Sequence, residues 1–446
     1  MYIFSVLFLV IIFIIIATIK FKFHPVFSLL FAALISGGLL GIKGDELLVI
    51  ISEGFGKTLS SIGLIIAFGT VIGIFLEKTN ATKVMANTIL KIVGMERSAL
   101  AMNITGFVIS IPVFCDSGFI ILSSLNKALS KKTGLSLVIF SVSLATGLYA
   151  SHVFVPPTPG PLAAAAVLNA DLGLVMVLGI FVAIPVSLVG FLWANYIGRK
   201  IKIDTIEENE NVLKNNSEVE ESYQTKKRYA FAPLVVPIIL IAMKSIIEHP
   251  SIIISKGIVY EIISFIGNPI IALLIGVVFA FNINKTISLK ERYNWVVLAL
   301  KEAGIIVLIT GAGGAFGAVL RVVDLTDIIK LETSFIGGGI FIAFFIAAIL
   351  KTAQGSSTVA IITTAAIMAP LLDSLGLESS VSKACTVLAI GAGAMTVSHI
   401  NDSYFWVVSQ FSNMDVKTAL KSQTVATFLQ GITGLLLVLG LQYFFG

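Results

Sequence analysis

Ten apolar stretches in this chain are each long enough to cross about 30 Å of hydrocarbon. They lie near 2–19, 25–42, 58–77, 134–151, 172–197, 230–247, 258–281, 299–320, 381–398 and 419–443. Two more, 98–129 and 336–372, are longer but interrupted, by PVFCDSG in the first and KTAQGSST in the second. That pattern dictates the solvent. An ordinary soluble domain carries roughly 25% charged residues. This chain has 12%, against 57% hydrophobic, which leaves too little polar surface to cover a water-soluble globule. The expected class is an all-α polytopic membrane protein. The net charge of +5 implies no nucleic-acid partner, because basic residues in such a protein mostly report orientation. Cys115 and Cys385 both sit in apolar segments, so free thiols are expected. The N-terminus lacks a basic n-region and a small-residue cleavage site, so 2–19 reads as a first span rather than a leader.

Residues 201–229 differ in kind: they are polar and charged, and read as a solvated linker. The linker separates 1–200 from 230–446, and the two halves repeat. A shift of 244 residues places Pro25 on Pro269, Gly69 on Gly313, Gly73 on Gly317 and Thr82 on Thr326. A shift of 247 places Ser151 and His152 on Ser398 and His399. Charge decides the relative orientation. If 98–129 and 336–372 are hairpins that enter and leave on one side, each half crosses five times and the second half is inverted. With the N-terminus outside, 22 of the 30 Lys and Arg then face the cytoplasm. If both stretches crossed instead, Lys127, Lys131, Lys132 and the basic linker would face outward, against the positive-inside rule. The expectation is therefore two inverted-topology repeats. Each has one re-entrant helical hairpin (98–129; 336–372) and one broken transmembrane helix (134–170; 381–411). The protein is expected in the inner (plasma) membrane, in contact with the lipid bilayer, with the linker cytoplasmic and both termini outside.

Inverted repeats with interrupted helices point to a transporter, with substrate bound near the midplane. Four interruptions form two matched pairs: PVFCDSG with KTAQGSST, and SHVFVPPTPGP with SHINDS. Irregular backbone at membrane depth is tolerated only where it is buried in protein or lines a wet cavity. A hairpin tip frees backbone N–H groups at the start of its second arm, and the helix dipole adds roughly half a positive charge there. Such a site suits an anion. The substrate-binding candidates are Ser117, Gly118, His152, Thr158, Gln354, Gly355, Ser356, Ser357, Thr358, His399 and Asn401. Several of them would serve equally as ordinary helix N-caps. Pro156, Pro157, Pro159 and Pro161 remove backbone donors and force a break after His152. The ionisable residues Asp116, His152, Lys351, His399 and Asp402 all fall at interruptions, where burial is costly unless they are paired or protonated. An ionised Asp116 or Asp402 would repel an anionic substrate. A carboxyl group that binds a proton together with the substrate removes that repulsion, and His152 or His399 offers the same service near neutral pH. Asp116, Asp402, His152 and His399 are thus the proton-coupling candidates, with Lys351 a further candidate cation. Sodium held by freed carbonyls with Asn401 or Ser356 is the competing scheme. No metal or organic cofactor is expected.

At these motifs the chain resembles the gluconate permease family, carriers of sugar acids and related hydroxy-acids. The resemblance runs nearly end to end and rests on PVFCDSGFIIL, SHVFVPPTPGPLAAA, GAGGAFGAVL, TAQGSSTVAIITTAAIMAP and SHINDSYFWV. The chain departs from the usual family pattern at Ser117 and Val153, beside the expected site. The resemblance implies an ion-transporter fold with paired hairpins, an elevator-like movement and a homodimer. The function expected is import of a small gluconate-like organic anion by proton symport. A sodium-coupled carboxylate symporter and a sodium/proton antiporter are the alternatives. No enzyme is expected: there is no Gly-x-Ser-x-Gly, and the acids are already placed at the breaks. A channel would ordinarily build its site from several subunits around one axis.

Overall fold

The structure is a computed structural model. It describes residues 20–201, 203, 227–248, 257–284, 286–322, 338–400 and 402–446, with 6, 9, 10, 12–14, 16 and 17. Among these residues there are helices and connecting turns but no strand. Helix α1 (Pro25–Leu39) opens on a proline, whose missing N–H has no role in a first turn. Helix α2 (Gly44–Lys78) carries Asp45 and Glu46 in its first turn and Lys78 in its last, the order the helix dipole favours. It begins well before the apolar run 58–77, because Glu53 and Lys57 lower hydropathy without opposing a helix. Short α3 (Ala81–Val93) leads to the first interrupted stretch, α4 (Ser98–Ile109) and α5 (Cys115–Thr133). Then come α6 (Leu137–Phe154), α7 (Pro159–Val167) and the long α8 (Leu172–Lys200).

The second half starts with α9 (Lys227–Ile247), so Lys227 to Tyr229 are helical rather than linker. The run 258–281 is not one straight span. Helices α10 (Ile258–Ile266) and α11 (Pro269–Phe281) meet at 67°, where the Asn268 side chain caps Ile270 and Pro269 starts the new helix. Helix α12 (Leu289–Arg321) opens with a capping box between Ser288 and Glu291, ahead of the apolar run 299–320. The second interrupted stretch is α13 (Gly338–Gln354) and α14 (Ser357–Met368). Helices α15 (Ser380–Met395), α16 (Ser403–Phe411), α17 (Val416–Ala419) and α18 (Val425–Phe445) complete the fold, with a π-helical turn at Leu420–Thr424. Four described helical stretches are long and apolar enough to cross a membrane, or up to seven if each bent pair is one span. Residues 204–226 of the expected linker, residues 323–337 and most of 2–19 lie outside the described residues.

Two packed groups result. In one, α2 lies along α12, with α1 and α11 beside them. In the other, α4, α6, α8, α18, α15 and α13 pack in succession. Helices α7 and α14 cross each other and join the groups through α2 and α12. Helix α6 is the axis of the second group, buried at every residue from Leu137 to Phe154. Small residues let it sit there: a Cβ on Gly147 would lie 2.0 Å from the Asn103 carbonyl oxygen of α4. The Asn103 side chain locks the arrangement. It donates to the Ser143 carbonyl at 2.9 Å and accepts from the Ser187 hydroxyl at 2.9 Å, tying α4, α6 and α8.

Candidate functional site

The four interruptions are present, with shifted edges. The first interrupted stretch breaks at 110–114, because the break follows Pro112, which has no N–H, rather than the small residues at 117 and 118. Phe114 takes the extended conformation that precedes α5. Asp116, Ser117 and Gly118 therefore sit in the first turn of α5, not in a loop. The Gly118 N–H is already bonded to the Phe114 carbonyl at 2.9 Å, so Gly118 is not the free donor expected of it. The next break is 155–158, and His152 belongs to the last turn of α6 instead of the break. Thr158 is buried, and its hydroxyl donates to the Val155 carbonyl at 2.6 Å.

In the second half, α13 ends at Gln354. Gly355 takes φ +71°, a conformation glycine adopts without strain, and Ser356 caps α14 by accepting from the Val359 N–H at 3.4 Å. Ser356 thus does the ordinary work of an N-cap. Ser357 is buried and Thr358 half-buried in the first turn of α14. His399 is half-buried within the last break, and Asn401 lies outside the described residues.

These breaks converge on a buried charged cluster. The Lys351 ammonium lies 2.7 Å from Oδ2 of Asp402, and both side chains are withdrawn from solvent. The same Oδ2 accepts from the Ser398 hydroxyl. Oδ1 of Asp402 accepts from the Tyr404 N–H at 3.1 Å and so caps α16. The Lys351 ammonium also stands 5.8 Å from the centre of the Tyr149 ring. From the first half, Asp116 and His152 lie within the electrostatic reach of Lys351 and Asp402. Oδ1 of Asp116 and Nδ1 of His152 are buried without a hydrogen-bond partner. A buried polar atom normally has a hydrogen-bond partner, so these two can accept or donate to a group that enters the cluster. Cys115 joins the group, with its sulfur 4.0 Å from Oδ2 of Asp116.

Two tyrosines that sequence reasoning passed over bind the halves together. The Tyr404 hydroxyl donates to the Ala145 carbonyl at 2.9 Å, and the Tyr149 hydroxyl to that of Ala394 at 3.3 Å. Their rings are 5.1 Å apart. The available signal was a tyrosine within a few residues of a break, since a buried tyrosine needs a partner for its hydroxyl. Thr70 was also missed. It lines a cavity of about 10 Å³ with Gly69, Pro112, Phe114, His152 and Thr158. That volume suits about one water. A larger open cavity of about 940 Å³ is lined by Glu53, Lys57, Ser61, Ile65, Leu162 and Asp171, among others. Ile65, which lines the larger cavity, and Gly69, which lines the small one, are one turn apart on α2. Among the described residues no group of three His, Cys, Asp or Glu is placed to hold a metal.

The sequence matches the model for GntP family permeases over residues 1–444. The chain belongs to the GntP permease family. It is 31% identical to the gluconate permease of Pseudomonas aeruginosa, covering 94% of this chain and 93% of that one. It is also 31% identical to the D-serine transporter DsdX of Escherichia coli K12, over 97% and 96%. The solved structure of MtrF from Neisseria gonorrhoeae shares the fold, with TM-score 0.66 at 13% identity over 93% and 94% of the two chains. As a GntP family member the protein is a multi-pass membrane permease, not an enzyme.

Proposed function

We propose that this GntP family permease imports a small sugar-acid or hydroxy-acid anion of the gluconate type by proton symport. The observation that carries the reading is the buried Lys351–Asp402 pair, with Asp116 and His152 beside it, each holding one buried side-chain atom without a hydrogen-bond partner. A buried cation beside carboxylates suits a carboxylate substrate and a proton, because the cluster accepts an added negative charge only with compensation. A gluconate permease and a D-serine transporter among the relatives are consistent with a small carboxylate.

The reading includes two inverted repeats, 1–200 and 230–446, on either side of a cytoplasmic linker. In support, α1–α2, α4–α5, α6–α7 and α8 recur in order as α11–α12, α13–α14, α15–α16 and α18. It also includes an elevator-type movement, in which the group around α6 and α15 slides past α2 and α12. The 940 Å³ cavity is then the outer vestibule and the 10 Å³ cavity the closed site. Homodimer formation comes with the family resemblance.

The test is uptake of labelled gluconate, glycerate and D-serine into proteoliposomes under imposed pH or sodium gradients. The expected result is accumulation of at least one acid driven by an inward proton gradient. Uptake that ignores the pH gradient and follows sodium would refute the coupling. Sodium-driven proton efflux with no uptake of any acid would establish an antiporter instead.

A further inference from the structure

We propose that Lys351 is the anchor for the substrate's carboxylate and that Asp402 holds it in reserve, releasing it when a proton arrives. The proposal rests on the anion-transport reading above and assigns the recognition and coupling groups within it.

Among the described residues Lys351 is the only Lys or Arg that is fully buried. An anion that reaches this depth therefore has one ammonium to bind, and that ammonium is engaged by Oδ2 of Asp402. A carboxylate that simply joined the pair would put two negative groups on one cation in a medium that screens poorly. The exchange avoids this. A proton bonds to Oδ2 of Asp402, the ion pair opens, and the substrate carboxylate takes the place of Oδ2 at Lys351. One positive and one negative charge enter together, and the cluster's net charge does not change.

The hydrogen bonds around Asp402 are divided in a way that permits this. The contacts to Lys351 and to the Ser398 hydroxyl are both on Oδ2, whereas the cap of α16 is on Oδ1. Protonation of Oδ2 leaves the α16 cap in place, and the Ser398 hydroxyl can turn from donor to acceptor. Lys351 is in the last turn of α13, just before the Gly355 turn, so a flexible side chain on a hairpin tip carries the switching group. The other titratable groups around the pair are Asp116 and Cys115 on α5, His152 and Tyr149 on α6, Tyr404 on α16, and His399, whose carbonyl accepts from the Asp402 N–H within the last break. Asp402, rather than any of these, makes the ion pair with Lys351 among the described residues. A purely structural ion pair that staples α13 to the last break is the competing account.

The test measures gluconate binding by purified protein as a function of pH. In the wild type, uptake of one proton with each anion weakens apparent affinity about tenfold per pH unit as pH rises. Asp402→Asn keeps a capping oxygen for α16 and frees Lys351, so it should bind gluconate with no pH slope. Lys351→Met/Asp402→Asn leaves no unpaired charge and should fold, but lose roughly 10- to 100-fold in affinity, the scale of one charge-assisted contact. Wild-type affinity in the double variant or a surviving slope in Asp402→Asn would each overturn the exchange. If Asp402→Asn does not fold, the wild type still decides. Gluconate, a monoanion, should accumulate with the pH gradient and be indifferent to membrane potential. A response to potential at a fixed pH gradient would overturn the exchange and leave anion transport standing. A wild type that binds and moves none of the acids would instead bring down the transport reading, and the exchange with it.

Discussion

Gly73 offers a decisive perturbation, because its matched partner provides the control. Gly73 on α2 faces the break between α4 and α5. A Cβ there would lie 2.3 Å from the Pro112 carbonyl oxygen and 3.7 Å from Val113 Cα. The obstacle is backbone, so no flexible side-chain end can yield. To reach ordinary contact, the tip must move by about 1 Å or α2 must bend, at an overpacking cost of about 1–3 kcal/mol. The tip carries Phe114 at the edge of the small cavity, one residue before α5 and two before Asp116. Misplacement on that scale costs up to about a hundredfold where geometry sets the rate. Gly317, which the repeat aligns with Gly73, has only the Ala366 oxygen and Ala369 Cβ nearby, each at 3.9 Å. Gly73→Ala should therefore slow gluconate counterflow by about ten- to a hundredfold, and Gly317→Ala should leave it near wild type. The assay is the initial exchange rate in proteoliposomes, normalised to protein that elutes as a single monodisperse peak. Wild-type exchange by Gly73→Ala would refute the reasoning, as would equal impairment of both variants.

Two further outcomes follow from the packing. In a Cys385→Ser background Cys115 is the only thiol, beside Asp116 in the cluster, so saturating gluconate should slow its labelling by a membrane-permeant maleimide several-fold; an unchanged rate would remove substrate from that corner. Asn103→Ala should destabilise the protein by about 1–3 kcal/mol, because it leaves the Ser187 hydroxyl without its Asn103 acceptor and removes the tie to the Ser143 carbonyl; thermal unfolding in detergent checks this, and an unshifted midpoint would contradict it.

Much of the fold was legible because the bilayer allows few solutions. Apolar length located most helices, and Pro112, the prolines at 156–161, and Gly355 located three of the breaks. What hydropathy could not supply were edges set by capping and charge. The starts of α2 and α12 lie among Asp45, Glu46, Ser288 and Glu291, and the bend at Asn268–Pro269 hides inside an unbroken apolar run. At the site, the sequence singled out Asp116, His152, Lys351 and Asp402 because ionisable groups at membrane depth are costly. It could not say which would pair. The partner of Lys351 is 51 positions away, and only the packing of α13 against α15 brings the two together. Ser117 and Gly118 are expected as donors at the start of the second arm; the helix begins at Cys115, which leaves Ser117 in its first turn but ties the Gly118 N–H to the Phe114 carbonyl. Tyr149 and Tyr404 escaped notice because a tyrosine in an apolar run resembles core until its hydroxyl partner is seen.

The complete burial of α6 bears on how the protein is made. Its sequence is apolar enough to partition from the translocon into lipid, where it has Ser141, Ser143, Thr146 and Ser151 in its own turns. In the finished molecule none of its residues is left facing lipid, since α4, α8, α15 and α18 pack around it. Its hydrophobicity thus serves a stage of biogenesis that the folded state no longer displays. The helices that enclose it are supplied by both ends of the chain, and α15 and α18 are synthesised last. Enclosure of α6 must then be a post-insertion event that waits for the C-terminal helices, and chains truncated before Val425 would hold this hydroxyl-bearing helix exposed to lipid, as substrates for membrane quality control.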